Sequence, residues 1–600
     1  MRFPIVLMAV LATACAWSGP VTAPVAVPVI VPPAAANQQL DSLAETYYEE
    51  FLAANPTVAT ANGDNRYDHL YIASFAESQR QAARLRAERY LAGLQAIDRS
   101  SLDVDHQLTY DVFRWNMESN LRAYAHPAHL APLNQFFNFT ASFAQLGSGT
   151  GIHPFQTVKN YDDFLSRIAG FTQALDTAIA NMRRGMAAGI VQPRVLMEQV
   201  LPQIAAHVVS TPDSSIFHGP VRNMPAGFTA EDRARLTTAY ETAIRAQLVP
   251  AFARLHEFIR EEYMPAARTT VGLSALTGGV QWYRDLVRTS TTTDLTPDQI
   301  HEIGVSEVAR IHREMDAVRQ QVGFPGTLAE FLRHLQTDPR FRYTTREEML
   351  ADYRAAQARI DPLTDRLFDV KPKANYEIRP VEPFRERSFA GGAYQAASPD
   401  GSRPGIFYLN TYDPSSRARY RMESLLLHEG SPGHHFQITI QREREHLPRI
   451  RRFGGFIAYS EGWGLYAESI GRELGVYTDP YQYYGALAGE LWRAIRLVLD
   501  TGIHAKGWTR EQAIEYAQQN SSESDTQIIS EVERFIAIPG QALAYKIGEL
   551  KIRELRTRAE EVLGARFDIK AFHRAILEDG ALPLAVLESK IDSWIERQRS

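Results

Sequence analysis

Hydrophobic residues recur at helical spacing along most of the chain. Between residues 300 and 315 they lie mostly three or four positions apart, which places them on one face of a helix. This helix has a start signal, because Thr296 suits the N-cap and Gln299 completes a capping box. Similar segments fill residues 38 to about 370 and return from Ser415 onward. The pattern predicts a mainly α fold.

One part of the chain departs from this pattern. Residues 376–379 and 405–410 alternate between apolar and polar side chains, and residues 398–404, rich in Pro, Gly and Ser, lie between them. Short alternating runs separated by turn residues are typical of β-strands. We therefore expect one small antiparallel β insertion in an otherwise helical domain.

The N-terminus has the pattern of an export signal. Arg2 supplies a positive charge, and the apolar run from Pro4 to Ala14 is too short to span a bilayer. Cys15, the only cysteine, follows small residues in the way a lipid-modified cysteine does in bacterial lipoproteins. The alternative is an ordinary cleavage site near Ala23. Either way, we expect residues 1–15 to act in export and the protein to be periplasmic, with Cys15 as its one means of membrane attachment.

Two further regions follow the signal. Residues 16–37 are rich in Ala, Val and Pro, which predicts a flexible linker because such sequence stays extended and packs poorly. Residues 38–600 contain no convincing linker and are expected to form one large domain.

Composition excludes several classes of function. The net charge of −6 lacks the cationic excess that phosphate binding requires, so no nucleic-acid partner is expected. Apart from Cys15, the chain has no cysteine for a disulfide or a thiol nucleophile. Catalysis would have to use other groups.

The residues with the clearest chemistry begin at His428 and Glu429. In the H-E-x-x-H arrangement, two histidines one helical turn apart bind zinc, and the glutamate activates the attacking water. Here the next histidine, His434, comes six residues after the first, with Pro432 and Gly433 between them. A regular helix cannot continue through this pair.

Two second ligands are therefore considered. A bulge or loop at the break would return His434 to the side of His428, whereas a straight helix would bring His435 near that face, about 10 Å along the axis. We prefer His434 and retain His435 as the alternative. Paired histidines can also hydrogen-bond inside a core, but the accompanying glutamates favour a metal site.

A catalytic zinc site needs a third protein ligand and an open position. Glu461 is the preferred candidate, because it opens an aromatic helix downstream of the histidines. Glu468, two turns later, is interpreted as a support for a histidine or as an ordinary exposed residue.

Three residues are candidates for catalysis. Glu429 is expected to be the general base, since a carboxylate beside zinc can take a proton from water and pass it to the leaving amine. His504 and Tyr545 are candidate donors to the oxyanion. Their alternatives are a polar helix face and a buried tyrosine.

The motifs at His428–Gln437 and Glu461–Glu468 resemble those of a large bacterial family, domain of unknown function 885, and the resemblance extends over most of residues 40–600. That family is similar to helical zinc metallopeptidases of the angiotensin-converting-enzyme, thimet oligopeptidase and thermostable carboxypeptidase kind. The resemblance implies a deep cleft between helical lobes, His428, His434 and Glu461 as ligands, and Glu429 as base. It also suggests that the strand at 405–410 aligns a peptide by backbone pairing.

The sequence therefore predicts an exported zinc peptidase whose substrate is a peptide. Two other functions stay open. One is a metal-dependent hydrolase of another amide or ester, which would use the same groups. The other is a non-catalytic, peptide-binding lipoprotein with a metal site, against which the intact Glu429 argues, since a structural site needs no base.

Overall fold

The computed structural model describes residues 33–382, 386, 390–397 and 403–599. The predicted signal peptide and Cys15 lie outside the described residues, as does most of the predicted linker.

Helices form most of the described chain. The first half contains α1 (Pro33–Ala54), α2 (Pro56–Ala61), α3 (Glu77–Gln95), α4 (Val104–Tyr124), α5 (Phe139–Leu146), α6 (Val158–Ala188), α7 (Arg194–Ala205), α8 (Gly219–Arg222), α9 (Ala230–Ala243), α10 (Val249–Phe258), α11 (Met264–Ala266), α12 (Gly279–Thr291), α13 (Pro297–Gln321), α14 (Leu328–Thr337) and α15 (Arg346–Ile360). The second half contains α16 (Met422–Glu429), α17 (His434–Glu443), α18 (Arg449–Arg452), α19 (Ile457–Ser469), α20 (Gly471–Leu474), α21 (Pro480–His504), α22 (Arg510–Asn520), α23 (Asp525–Ala537), α24 (Ala544–Leu563), α25 (Ile569–Leu577) and α26 (Leu584–Arg599). The predicted mainly α fold is confirmed.

Three strands, β1 (Tyr376–Pro380), β2 (Gly392–Gln395) and β3 (Gly405–Leu409), form the β insertion between α15 and α16. Their order is β1-β3-β2. The β2 strand pairs with β3 in the predicted antiparallel sense, whereas β1 pairs with β3 in parallel, so the sheet is mixed. The strand order explains this. After β1 the chain forms β2 at the opposite edge of the sheet, and it then returns to form β3 between β1 and β2.

The central position of β3 corrects one expectation. An extended peptide pairs with a free strand edge, and both edges of β3 are already paired. Residues 405–409 therefore cannot align a peptide as suggested above.

The first helix corrects another expectation. The linker was predicted to end at residue 37, yet α1 already begins at Pro33. Proline suits the first turn of a helix, and the three alanines that follow are strong helix formers. Ala36 is buried in the cluster that α1 forms with α3 and α4, which gives the helix a packing reason to start early.

The largest hydrophobic cluster contains the sheet and helices α16, α17, α19 and α24. Helices α19 and α24 approach closely where Gly462 faces Gly548, since a Cβ atom at either position would collide with the other backbone. The histidine–glutamate motifs are thus held between well-packed helices. Of the helices described, none has the length and apolar character needed to cross a membrane.

Candidate metal centre

The break between the two histidines is a tight turn. Helix α16 ends at Glu429 and α17 begins at His434. The chain doubles back so sharply that a Cβ atom at Gly433 would collide with the carbonyl oxygen of His428. Trp463 of α19 holds the turn, because its indole Nε1 donates a hydrogen bond to the carbonyl oxygen of Pro432 (2.8 Å). The turn is a loop of the kind expected to return His434 to the side of His428.

The turn brings the two histidine rings to a centroid distance of 4.7 Å. Glu461 of α19 completes the group, with its Oε2 3.3 Å from Nε2 of His428 and 3.4 Å from Nε2 of His434. The three candidate ligand atoms all lie within 4.8 Å of one another. Ligands at about 2.0–2.2 Å from a tetrahedral zinc ion are roughly 3.3–3.6 Å apart. The donor set and its spacing therefore fit zinc.

Glu468 fixes the ring of His428. Its Oε1 accepts a hydrogen bond from Nδ1 of His428 (2.8 Å), which leaves Nε2 directed at Glu461. The side chain is buried, so the alternative of an ordinary exposed residue does not apply. The ring has room because residue 464 is glycine, at which a Cβ atom would lie 2.7 Å from the imidazole. This carboxylate–histidine pair is the arrangement that orients metal-binding histidines in proteins.

His435 lies apart from this group. Its Nδ1 is 3.0 Å from the hydroxyl of Tyr394 on β2, and its ring packs against Tyr376 on β1. Burial lowers its pKa to about 4, so the ring is neutral. The alternative second ligand thus packs against the sheet instead of facing Glu461.

Glu429 lies next to the histidines at the end of α16. Its carboxylate is buried, and its Oε2 has no hydrogen-bond partner among the described residues. Burial raises the pKa of Glu429, and the neighbouring His434 and His428 oppose that rise. A buried polar atom without a partner is costly, and a catalytic role or a bound water is among the features that account for one.

The group carries opposed charges. Burial disfavours the charged forms, but hydrogen bonds to Glu461 and Glu468 raise the pKa of His428 to about 9. Burial acts to raise the pKa of Glu461, but hydrogen bonds from the two histidines hold it well below its usual range. The carboxylates thus favour positive charge between them.

His504 does not join the site. Its Nδ1 accepts a hydrogen bond from the backbone N–H of Leu273 (3.1 Å), and its Nε2 donates one to the carbonyl oxygen of Phe535 (2.9 Å). The ring is fully buried, and burial lowers its pKa to about 3. Because both nitrogens are used by the backbone, His504 has no hydrogen to donate to an oxyanion, and the predicted catalytic role is withdrawn.

Tyr545 lies at the start of α24, and its ring centre is 5.9 Å from the guanidinium carbon of Arg493, which in turn approaches Glu468. Gly548, one turn later, packs against Gly462 beside Glu461. The tyrosine ring faces the guanidinium of Arg496 at 4.6 Å, and 9% of the residue is exposed. Tyr545 therefore remains a candidate donor.

Sequence reasoning missed Arg493. It lies on α21, where Nη2 is 3.3 Å from Oε1 of Glu468, the partner of His428. The available signal was the presence of three charged residues, Glu490, Arg493 and Arg496, in the otherwise apolar run 485–499, where burial would require partners.

Comparison with known proteins places this geometry in a family. The family profile of a bacterial protein of unknown function (DUF885) matches residues 56–591. A crystal structure of the "putative lipoprotein" from Colwellia psychrerythraea has 28% identity and a TM-score of 0.87, covering 94% of this chain and 99% of that one. A "putative lipoprotein of unknown function" from Shewanella oneidensis, at 18% identity and a TM-score of 0.71, covers 92% and 99% and shares the fold. No curated protein matches the chain.

Proposed function

The chain belongs to the DUF885 family of bacterial proteins of unknown function, and from its own residues we propose that it is a zinc-dependent peptidase. The observation that carries this proposal is the carboxylate of Glu429, which is buried beside His428, His434 and Glu461 with one oxygen unpaired. A purely structural zinc site closes its fourth position and needs no such group. A base poised next to three ligands is the arrangement of a hydrolase.

Each residue has a distinct task in this proposal. His428, His434 and Glu461 hold the metal, and Glu468 fixes the orientation of His428. When bound, zinc supplies Lewis acidity, which polarises the substrate carbonyl and lowers the pKa of the attacking water. Glu429 takes the proton from that water at its free oxygen and passes it to the leaving nitrogen.

The substrate is proposed to lie along the sheet. Among the described strands, β1 and β2 lie at the edges of the sheet. Gly392 of β2 packs against Leu425 of α16, the helix that ends with His428 and Glu429. A peptide paired with β2 would run past the metal group, with its backbone oriented by hydrogen bonds. A small amide or ester has no extended backbone with which to form hydrogen bonds to this strand edge. The edge therefore favours a peptide substrate over the other hydrolase function.

Location follows from the N-terminal pattern and from the relatives. Export, with an anchor on Cys15, agrees with the "putative lipoprotein" description of the two related structures. We propose a periplasmic lipoprotein.

The test combines metal analysis with hydrolysis. The purified protein should contain about one equivalent of zinc. It should cleave members of a peptide library, lose that activity with a chelator and regain it with zinc. Full activity after complete metal removal would overturn the zinc mechanism. Zinc binding without cleavage of any peptide, amide or ester would instead support the non-catalytic lipoprotein.

A further inference from the structure

A group of arginines lies directly behind the metal centre. One oxygen of Glu468, Oε1, accepts a hydrogen bond from Nδ1 of His428 and lies 3.3 Å from Nη2 of Arg493. Only the carboxylate of Glu468 therefore separates the Arg493 guanidinium from the candidate ligand His428. One turn later on α21, Arg496 stacks on the ring of Tyr545, and Arg493 lies 5.9 Å from the centre of the same ring.

The arginines of this group share their carboxylates. Arg496 pairs with Oε2 of Glu531 (2.7 Å), and Arg534 lies 3.3 Å from the other oxygen of that carboxylate. Arg493 has no carboxylate of its own either, because Oε1 of Glu468 is already engaged with His428. A further carboxylate would therefore give these guanidinium groups an additional partner.

Two nitrogen atoms of the group also lack partners. The Nε atoms of Arg493 and Arg496 are buried without a hydrogen-bond partner among the described residues. The two side chains are only 12% and 9% exposed. A buried guanidinium donor left unpaired is costly, and the Nε side of arginine is suited to a carboxylate.

We propose that Arg493 and Arg496 bind the C-terminal carboxylate of a peptide substrate, with the Tyr545 ring supporting Arg496. This inference rests on the proposed peptidase function and adds a substrate class to it. Because an extended residue spans about 3.3–3.6 Å, a carboxylate this close to the ligands lies one to three residues beyond the bond that is cleaved. The enzyme then removes short fragments from the C-terminal end.

The experiment measures binding separately from turnover. N-acetylated tetrapeptides ending in a free acid or an amide are titrated by calorimetry into the full mature chain carrying Glu429→Gln, with and without zinc. The acid should bind at least about 10-fold more tightly than the amide, as expected for a charge-assisted pair. Arg496→Lys in the same background should reduce that preference to about 3-fold or less, because lysine cannot form the planar fork.

Arg310→Lys is the matched control, because Arg310 lies on α13 and its guanidinium forms ion pairs with Glu307 and Glu490. It should keep the preference for the acid. Thermal melts identify any variant that fails to fold, and Arg493→Lys then replaces Arg496→Lys. A preference that survives both lysine variants overturns the proposal.

Further outcomes separate the inference from the function. Equal binding of acid and amide overturns the subsite even if the protein cleaves peptides. Preference for the acid without any cleavage supports the subsite while the peptidase proposal fails. A third peptide carries a C-terminal amide and a glutamate side chain one residue earlier. If this peptide binds as tightly as the acid, the subsite at Arg493 and Arg496 accepts side-chain carboxylates and the C-terminal assignment is wrong.

Discussion

Two buried histidine clusters on neighbouring helices are constructed in opposite ways. In the metal group, both nitrogens of His428 face carboxylates, those of Glu461 and Glu468. In the second cluster, both nitrogens of His504 are bonded to backbone, those of Leu273 and Phe535. The sequence predicted a functional histidine in each cluster, but the groups bonded to the two histidine rings differ.

The carboxylates of the two clusters, Asp500 and Glu429, differ in the same way. Asp500, one turn before His504, accepts hydrogen bonds from the hydroxyl of Tyr283 (2.5 Å) and the N–H of Gly540 (3.0 Å). Glu429, next to His428, keeps one oxygen unpaired. The second cluster ties helices α12, α21 and α23 together, and its polar atoms are already used.

The difference teaches how to separate structural from functional histidines. Burial is shared, since both His428 and His504 are inaccessible. Burial lowers the pKa of His504 to about 3, whereas in His428 the same effect is overcome by carboxylates that raise the pKa to about 9. The nature of the partner, rather than burial, therefore distinguishes the two sites.

Removal of a ligand should break the metal group most completely. His428→Ala, His434→Ala or Glu461→Ala should each reduce bound zinc to less than about a tenth of wild type and abolish hydrolysis. Metal analysis after gel filtration measures the first effect. Full zinc content in any of the three would contradict the assignment.

His435→Ala is the control for His434→Ala. Its ring faces Tyr394 and Tyr376, so the variant should keep its zinc. If the His435 variant loses zinc and the His434 variant keeps it, His435 is the second ligand and His434 is not.

The next effect concerns the unpaired carboxylate. Glu429→Gln keeps the shape of the side chain but cannot accept the proton, so turnover should fall by about 100-fold to 10,000-fold with zinc and folding unchanged. Glu423→Gln is the control: this carboxylate lies on the same helix, is buried and pairs with Arg359. It should leave turnover near wild type. Loss of zinc with loss of activity would make Glu429 a ligand instead of a base.

The second cluster should respond in stability. His504→Ala leaves the N–H of Leu273 and the carbonyl of Phe535 unpaired and opens a cavity. We expect the free energy of unfolding to fall by roughly 3–5 kcal/mol, while the folded protein keeps its zinc. Denaturant unfolding of this variant and of the exposed-site control His69→Ala gives the measurement. A stable His504 variant without activity would restore the catalytic role.

Much of the fold could be predicted because helical periodicity is local. Caps such as the box between Thr296 and Gln299 are present as expected. The parallel pairing of β1 with β3 could not be predicted, since it depends on contacts between residues about 30 positions apart. The early start of α1 was missed because the burial of Ala36 is a tertiary effect.

The site shows the same limit. The grouping of His428, His434 and Glu461 could be predicted, although Glu461 lies 33 residues after His428, because the chemistry of these side chains is specific. The error at His504 arose because helix spacing gives no information about the distant backbone groups at Leu273 and Phe535. Arg493 was missed for the same reason, since its partner Glu468 lies on another helix.

The smallest expected effect tests whether Tyr545 belongs with the metal group or with the structural cluster. Tyr545→Phe removes the hydroxyl but keeps the ring on which Arg496 stacks, so stability should change little. If the hydroxyl donates to the oxyanion, kcat should fall by about 100-fold for acid and amide peptides alike, with KM nearly unchanged. Arg496→Lys should instead raise KM for the acid alone. A Phe variant with wild-type kcat on both substrates would leave Tyr545 as a support for the arginine and would place the oxyanion donor elsewhere.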